Sequence, residues 1–311
     1  MSRYAKNPIE FDGLKTVGLA ERGGKVKVAD FAAAYRKGAG VAGLIDSLPR
    51  ILAADSFRAV VNAIASAREN RRAIVWAMGG HVIKCGLAPV LIDLMRRGHA
   101  TLFAMNGAAA IHDFEIALAG HTSEDVEAVL PDGRFGAAEE TGRGLAEALE
   151  PGLGLGECYG KTLAGSPHAE SSVLAQAYAS AVPVTVHVAI GTDTPHIHPG
   201  ADPAALGAAT HRDFRLLCSY LRDLHDGGVF LNCGSAVILP EVFLKAVSAV
   251  RNLGHPLENF TTVNFDFFQH YRPRVNVVER PHAQAGGKGY AITGHHELML
   301  PLLAAALIER A

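Results

Sequence analysis

Residues 73–119 read AIVWAMGGHVIKCGLAPVLIDLMRRGHATLFAMNGAAAIHDFEIALA, and their rhythm decides the fold class. Residues 73–78 form a short apolar run rich in strand formers, closed by Gly79-Gly80. A helical pattern follows over 82–97, with Leu87, Leu91 and Leu94 on one face. A second apolar run, 101–105, stops at Asn106-Gly107, and a second helix covers about 111–119. Two strand–loop–helix units this close together predict parallel strands, because parallel neighbours need a long right-handed crossover.

The same alternation resumes further along. Strands are predicted at 184–189, 229–232 and 261–267, with a strand or loop at 288–292. Helices are predicted at 171–180, 209–224, from Pro240 to 252, and from Glu297 onward. Pro131-Asp132-Gly133 marks 121–137 as a turn region, 138–149 reads as a helix, and the glycine-rich 151–156 reads as a linker or inserted loop. There is no internal repeat. The expectation is a single α/β domain over 31–311, a doubly wound, mostly parallel sheet of about six strands with helices on both faces, after an N-terminal extension over 1–30.

Composition narrows the function. A net charge of −2 provides no basic field for nucleic acid. No apolar stretch is long enough to span a bilayer, and the start of the chain does not read as a signal peptide. Cys85, Cys158, Cys218 and Cys233 contain no CxxC pair, which fits a reducing, cytoplasmic setting. Trp76 is expected in the core.

In an open α/β sheet, ligands bind at the carboxyl ends of the strands. The loops expected there are Gly79-Gly80-His81, Asn106-Gly107-Ala108, Gly191-Thr192-Asp193, Cys233-Gly234-Ser235-Ala236 and Thr293-Gly294-His295-His296. Small residues at helix starts let backbone approach a phosphate, although neither GxGxxG nor a P-loop is present. His112-Asp113, in the first turn of a helix, offers a histidine beside a carboxylate for proton transfer. Asp193, His196 and His198, with His295 or His296, are an alternative zinc-type set. Arg272 or Arg274 could hold a carboxylate or phosphate.

Read in chain order, these segments resemble deoxyhypusine synthase. The likeness rests on Gly80-His81-Val82-Ile83-Lys84-Cys85-Gly86, Gly107 to Asp113 with Leu118-Ala119, and Pro183-Val184 through Gly191-Thr192-Asp193. It continues through Gly234 to Leu239, Arg251-Asn252-Leu253-Gly254, Thr262 to Asp266, and Tyr290-Ala291-Ile292 with Leu300-Pro301-Leu302-Leu303. It implies an NAD-binding fold and a site shared between subunits of a tetramer. The implied cofactor residues are Gly80, His81, Lys84, Asn106, Gly107, Thr192, Asp193, Gly234, Ser235, Asn264 and Asp266, with His112, Asp113, His196 and His295 as catalytic candidates and no metal assigned.

Departures from the family bear on the reaction. The family's imine-forming lysine matches Leu239. Its polyamine-binding acids match Ile111 and His112, with only Asp113 retained, and the acid of its Tyr-Ala-Asp segment matches Ile292. The expectation is therefore an NAD-dependent enzyme on a small amine or alcohol, not deoxyhypusine synthesis, assembled as a dimer of dimers. A metal-dependent lyase or hydrolase using the histidine-rich loop, and a nucleotide-binding module without turnover, are the alternatives.

Overall fold

The computed structural model describes residues 3–310. Its strands are β1 (Ile74–Met78), β2 (Leu102–Asn106), β3 (Val184–His187), β4 (Val229–Cys233), β5 (Thr261–Asp266) and β6 (Lys288–Thr293). All pair in parallel in the order β3-β2-β1-β4-β5-β6, which is the doubly wound sheet expected from the sequence. The chain steps outward from β1 to β3, then returns to the other side of β1. Connections therefore leave β1 and β4 toward opposite faces, opening a crevice at their carboxyl ends.

The period-two alternation of side chains splits the interior into two cores. Ile74, Trp76, Met78, Phe103 and Met105 enter one, while Val75, Ala77, Leu102, Ala104 and Phe230 enter the other. Phe230 stacks on Phe243 of helix Ile238–Asn252 at 3.8 Å between ring centroids. Trp76 is buried and donates its indole N–H to His99 O at 2.8 Å. Leu239, which the sequence resemblance aligns with a lysine, is buried in the second core.

Three expectations need correction. The helix expected over 82–97 is two helices, Gly80–Lys84 and Ala88–Arg96. Gly86 between them takes φ +83°, and Pro89 lies in the first turn of the second, where a missing N–H is harmless. The glycine-rich stretch is a short turn over 151–154 that runs straight into helix Leu155–Leu163, not a linker. A Cβ on Gly156 would lie 1.8 Å from Val184 O, so glycine is what lets this helix pack on β3. Asp213, in helix Pro203–Leu221, fastens it by accepting the N–H groups of Gly156 (3.0 Å) and Val186 (2.8 Å). Burial pushes that carboxyl up to about 7. Lastly, Arg272 and Arg274 hold the protein's own Glu241 and Glu279, each at 3.3 Å.

Residues near the start of the chain are tied to 47–50 through Arg50 N–H to Asp30 O and Ala33 N–H to Ser47 O, each 2.9 Å. Before that point Ile9, Phe11 and Leu19 are 78%, 71% and 78% exposed. No helix among the described residues is long and apolar enough to cross a membrane.

Candidate functional site

At the crevice the loops after β1 and β4 touch. Gly79 N–H donates to Cys233 O at 2.9 Å, and Gly234 N–H to Phe265 O at 3.1 Å. A Cβ on Gly79 would lie 2.2 Å from Gly234 O. Gly234 has φ +70°, and a Cβ there would lie 2.9 Å from His296 Cε1. Both positions thus demand glycine for physical reasons.

A buried amide ladder stiffens the floor. Asn232 Nδ2 donates to Asn264 Oδ1 (2.7 Å) and Ser235 O (2.9 Å), and Asn264 Nδ2 donates to Gln269 Oε1 (2.7 Å). Ser235 Oγ accepts the Leu239 N–H at 3.1 Å. Asn232 Oδ1 is buried and has no donor among the described residues, an uncommon state that asks for an explanation. Asp266, at the end of β5, is buried nearby.

Rings from three loops crowd the rim. His81 lies 5.5 Å from both Phe267 and His296, and Phe267 stacks on His295 at 5.9 Å. His295 and His296 part company: the side chain of His295 is 65% exposed, while His296 is fully buried. His296 Nε2 bonds Phe265 O at 3.1 Å and is therefore the protonated nitrogen, leaving Nδ1 a lone acceptor with no partner among the described residues. Burial holds the imidazole below its ordinary pKa.

A second group gathers past β2 and β3. Asn106 caps helix Gly107–Ala119 by accepting Ala109 N–H at 2.9 Å. The Asp193 carboxylate sits over Gly107, where a Cβ would lie 2.1 Å from its Oδ2; burial pushes its pKa up. Thr192 Oγ1 donates to Ala189 O at 2.7 Å, and His196 Nε2 lies 3.9 Å from Asp193. Asp193 and His196, with Ile111, Leu145 and Val186, line a cavity of about 40 Å³, enough for one or two waters.

His112 lies between the two groups, its Cδ2 3.1 Å from where a Gly80 Cβ would be. Its Nδ1 bonds Thr122 Oγ1 at 2.7 Å, and Thr122 Oγ1 donates to Glu115. Because the threonine proton goes to Glu115, His112 Nδ1 must be the donor, and Nε2 is left as the basic atom. Burial lowers the His112 pKa, Glu115 raises it and the exposed Lys84 lowers it.

Asp113 belongs to neither group. It is fully buried and accepts Ser172 Oγ (2.5 Å), Val173 N–H (2.8 Å) and Leu174 N–H (3.0 Å). These are the opening residues of helix Val173–Ala179. Successive helical residues point about 100° apart, so His112 and Asp113 do not form the expected pair, and Glu115 with Thr122 takes the carboxylate's place.

The zinc-type set of Asp193, His196 and His198 does not assemble. His196 Nδ1 accepts Gly191 N–H at 3.2 Å. His198 bonds Gly200 N–H through Nδ1 (3.1 Å) and Glu139 through Nε2 (3.4 Å). Among the described residues, the one trio of metal-type donors that converges is His81, Cys85 and Glu297.

No family model matches the chain, and no curated protein matches it. Solved structures do. A candidate deoxyhypusine synthase from Entamoeba histolytica is 12% identical, with TM-score 0.53, over 89% of this chain and 96% of that one. A conserved candidate LOR/SDH protein from Methanococcus maripaludis S2 is 15% identical, with TM-score 0.53, over 84% and 71%. AgrE, in a ternary complex with ornithine and NAD+, is 16% identical, with TM-score 0.53, over 85% of this chain but 35% of its own, so the chain spans about a third of AgrE. The resemblance read from the sequence is thus matched at the level of the fold: the chain has the deoxyhypusine-synthase-like α/β fold.

Proposed function

We propose that the protein is an NAD-dependent enzyme that oxidises a small amine or alcohol, or transfers a group from it. The observation carrying this reading is the switch point between β1 and β4, where the Gly79 and Gly234 loops pack backbone against backbone beside the unpartnered acceptor of Asn232. At Gly80, Gly107 and Gly234 the space a side chain would take is filled by Ala108, Asp193 and His296, so a dinucleotide would lie against the outer backbone of these loops, which Asn106 and Ser235 fix. NAD, when bound, would supply the acceptor for a hydride leaving a carbon that bears nitrogen or oxygen. That AgrE has been captured with NAD+ and ornithine supports the same ligand class here. With leucine at 239, group transfer through an imine at that position is not available.

His112 acts as the base in this reading. Glu115 and Thr122 hold its ring in the tautomer whose Nε2 takes the proton of the substrate's amine or hydroxyl, while Asp193 and His196 bound the neighbouring cavity. Replacing His112 with alanine should lower turnover about 10²- to 10⁴-fold, with cofactor binding retained. Glu115→Gln removes a charge that raises the imidazole pKa, so the acid limb of the pH–rate profile should move to lower pH. A limb that stays in place would rule out His112 as the titrating base.

The test of the cofactor is a thermal-shift titration of the metal-stripped protein with NAD, NADH and NADP. Ligand at a hundred times its dissociation constant adds about 3 kcal/mol, a visible shift. Absence of a shift with all three sinks the proposal. A shift without turnover of any amine or alcohol would favour a nucleotide sensor.

The exposed apolar residues of the extension support a homo-oligomer, which we propose to be a dimer of dimers. Deleting residues 1–39 should lower the sedimentation coefficient to that of a smaller assembly. An unchanged coefficient would place the interface elsewhere.

A further inference from the structure

We propose that His81, Cys85 and Glu297 form a site for a zinc-class divalent cation at the rim of the β1–β4 crevice. Their donor atoms, one nitrogen, one sulfur and one carboxylate oxygen, lie within 4.8 Å of one another. His81 and Cys85 are four apart on one turn, at the start and the cap of helix Gly80–Lys84, and so face the same way. Glu297 enters from the first turn of helix His296–Arg310. Ligands around tetrahedral zinc sit at about 2.0–2.3 Å from the metal, so the three side chains need to draw in by only about 1 Å.

Each group is free to do so. Neither ring nitrogen of His81 makes a hydrogen bond among the described residues, and Cys85 is a free thiol whose sole bond is a weak one to Val82 O at 3.6 Å. Glu297 has a loose partner in His295 at 3.7 Å. Phe267 walls one side, while Glu297, 47% exposed, leaves the other open.

A mixed nitrogen, sulfur and oxygen set selects zinc, cobalt or iron over magnesium and calcium. Three protein ligands with an open fourth position are the arrangement of a catalytic rather than a structural zinc site. The fourth position would accept water or a substrate heteroatom. The buried lone pair of His296 Nδ1, in a ring 5.5 Å from His81, adds a further unsatisfied acceptor to this neighbourhood. The site does not depend on the dinucleotide reading.

The test is cobalt titration of the chelator-stripped, untagged full chain without nucleotide. One cobalt per chain should bind with a thiolate-to-cobalt charge-transfer band in the near ultraviolet and the intense visible bands of tetrahedral coordination. Zinc should displace it, and magnesium should not. Cys85→Ser should abolish the charge-transfer band and weaken binding at least ~10-fold, with an unchanged circular dichroism spectrum as the control for folding. Glu297→Gln should weaken binding but keep the band, and His198→Ala should change neither. No charge-transfer band in the parent protein, or an undiminished band in Cys85→Ser, overturns the proposal.

Discussion

Asp113→Ala is expected to cost about 4 kcal/mol of stability, because three buried donors lose their acceptor together and each stranded donor costs about 1–3 kcal/mol. Ser172 Oγ–H and the N–H groups of Val173 and Leu174 have nowhere else to turn. Against a typical total of about 5–15 kcal/mol, such a loss should appear as a melting temperature lower by roughly 6 °C. The pH dependence has a definite sign. Burial raises the Asp113 carboxyl from 3.8 to about 6, so its contribution is whole below 3.8 and diminishes as pH rises through about 6. The gap between parent and variant should therefore narrow, by roughly 3 kcal/mol, between pH 4 and pH 8. A gap that widens with pH would mean that the charged form is the stabilising one. Chemical denaturation of both proteins at the two pH values decides it.

Gly79→Ala is expected to abolish dinucleotide binding. A methyl group 2.2 Å from Gly234 O meets backbone that is itself held by Phe265 O, so no side-chain rotation can relieve the clash. The β1 and β4 loops must separate, at a cost of about 1–3 kcal/mol or more, and the crevice loses its shape. Gly191→Ala makes the instructive comparison. Nothing lies within 4 Å of its Cβ position, and its φ of +89° carries only the strain of a left-handed residue. It should bind cofactor like the parent. Calorimetric titration with NAD separates the two; retained affinity in Gly79→Ala would place the nucleotide elsewhere.

How much of this was legible beforehand depends on whether the cause was local. Strands such as 73–78 announce themselves because burial on both faces requires an unbroken apolar run. The two crevice glycines were visible for the same reason, as the residues that end those runs. The strand order was not, since nothing near β4 says that it returns to β1. The helix at Leu155–Leu163 was hidden because its glycine start answers to Val184 in β3 rather than to helix propensity. His112 was picked out as a candidate, but the structure gives it Thr122 and Glu115 as neighbours in place of Asp113. Glu115, one helical turn away, was the readable clue, while Thr122 arrives only after Gly120 takes φ +74° and reverses the chain. The zinc-type alternative at Asp193 to His198 could not be decided from spacing, which does not reveal that His196 and His198 are bonded to nearby backbone.

The strand order also governs how the molecule comes into being on the ribosome. Residues 74 to 187 deliver β1, β2 and β3, already neighbours, and that half can collapse as soon as it emerges. One flank of β1 then stays bare until residues 229–233 are made, an uncapped hydrogen-bonding edge open to mispairing during synthesis. Chaperone dependence should accordingly be concentrated in nascent chains that end between β3 and β4. The same late pairing means that the crevice is among the last features to be born.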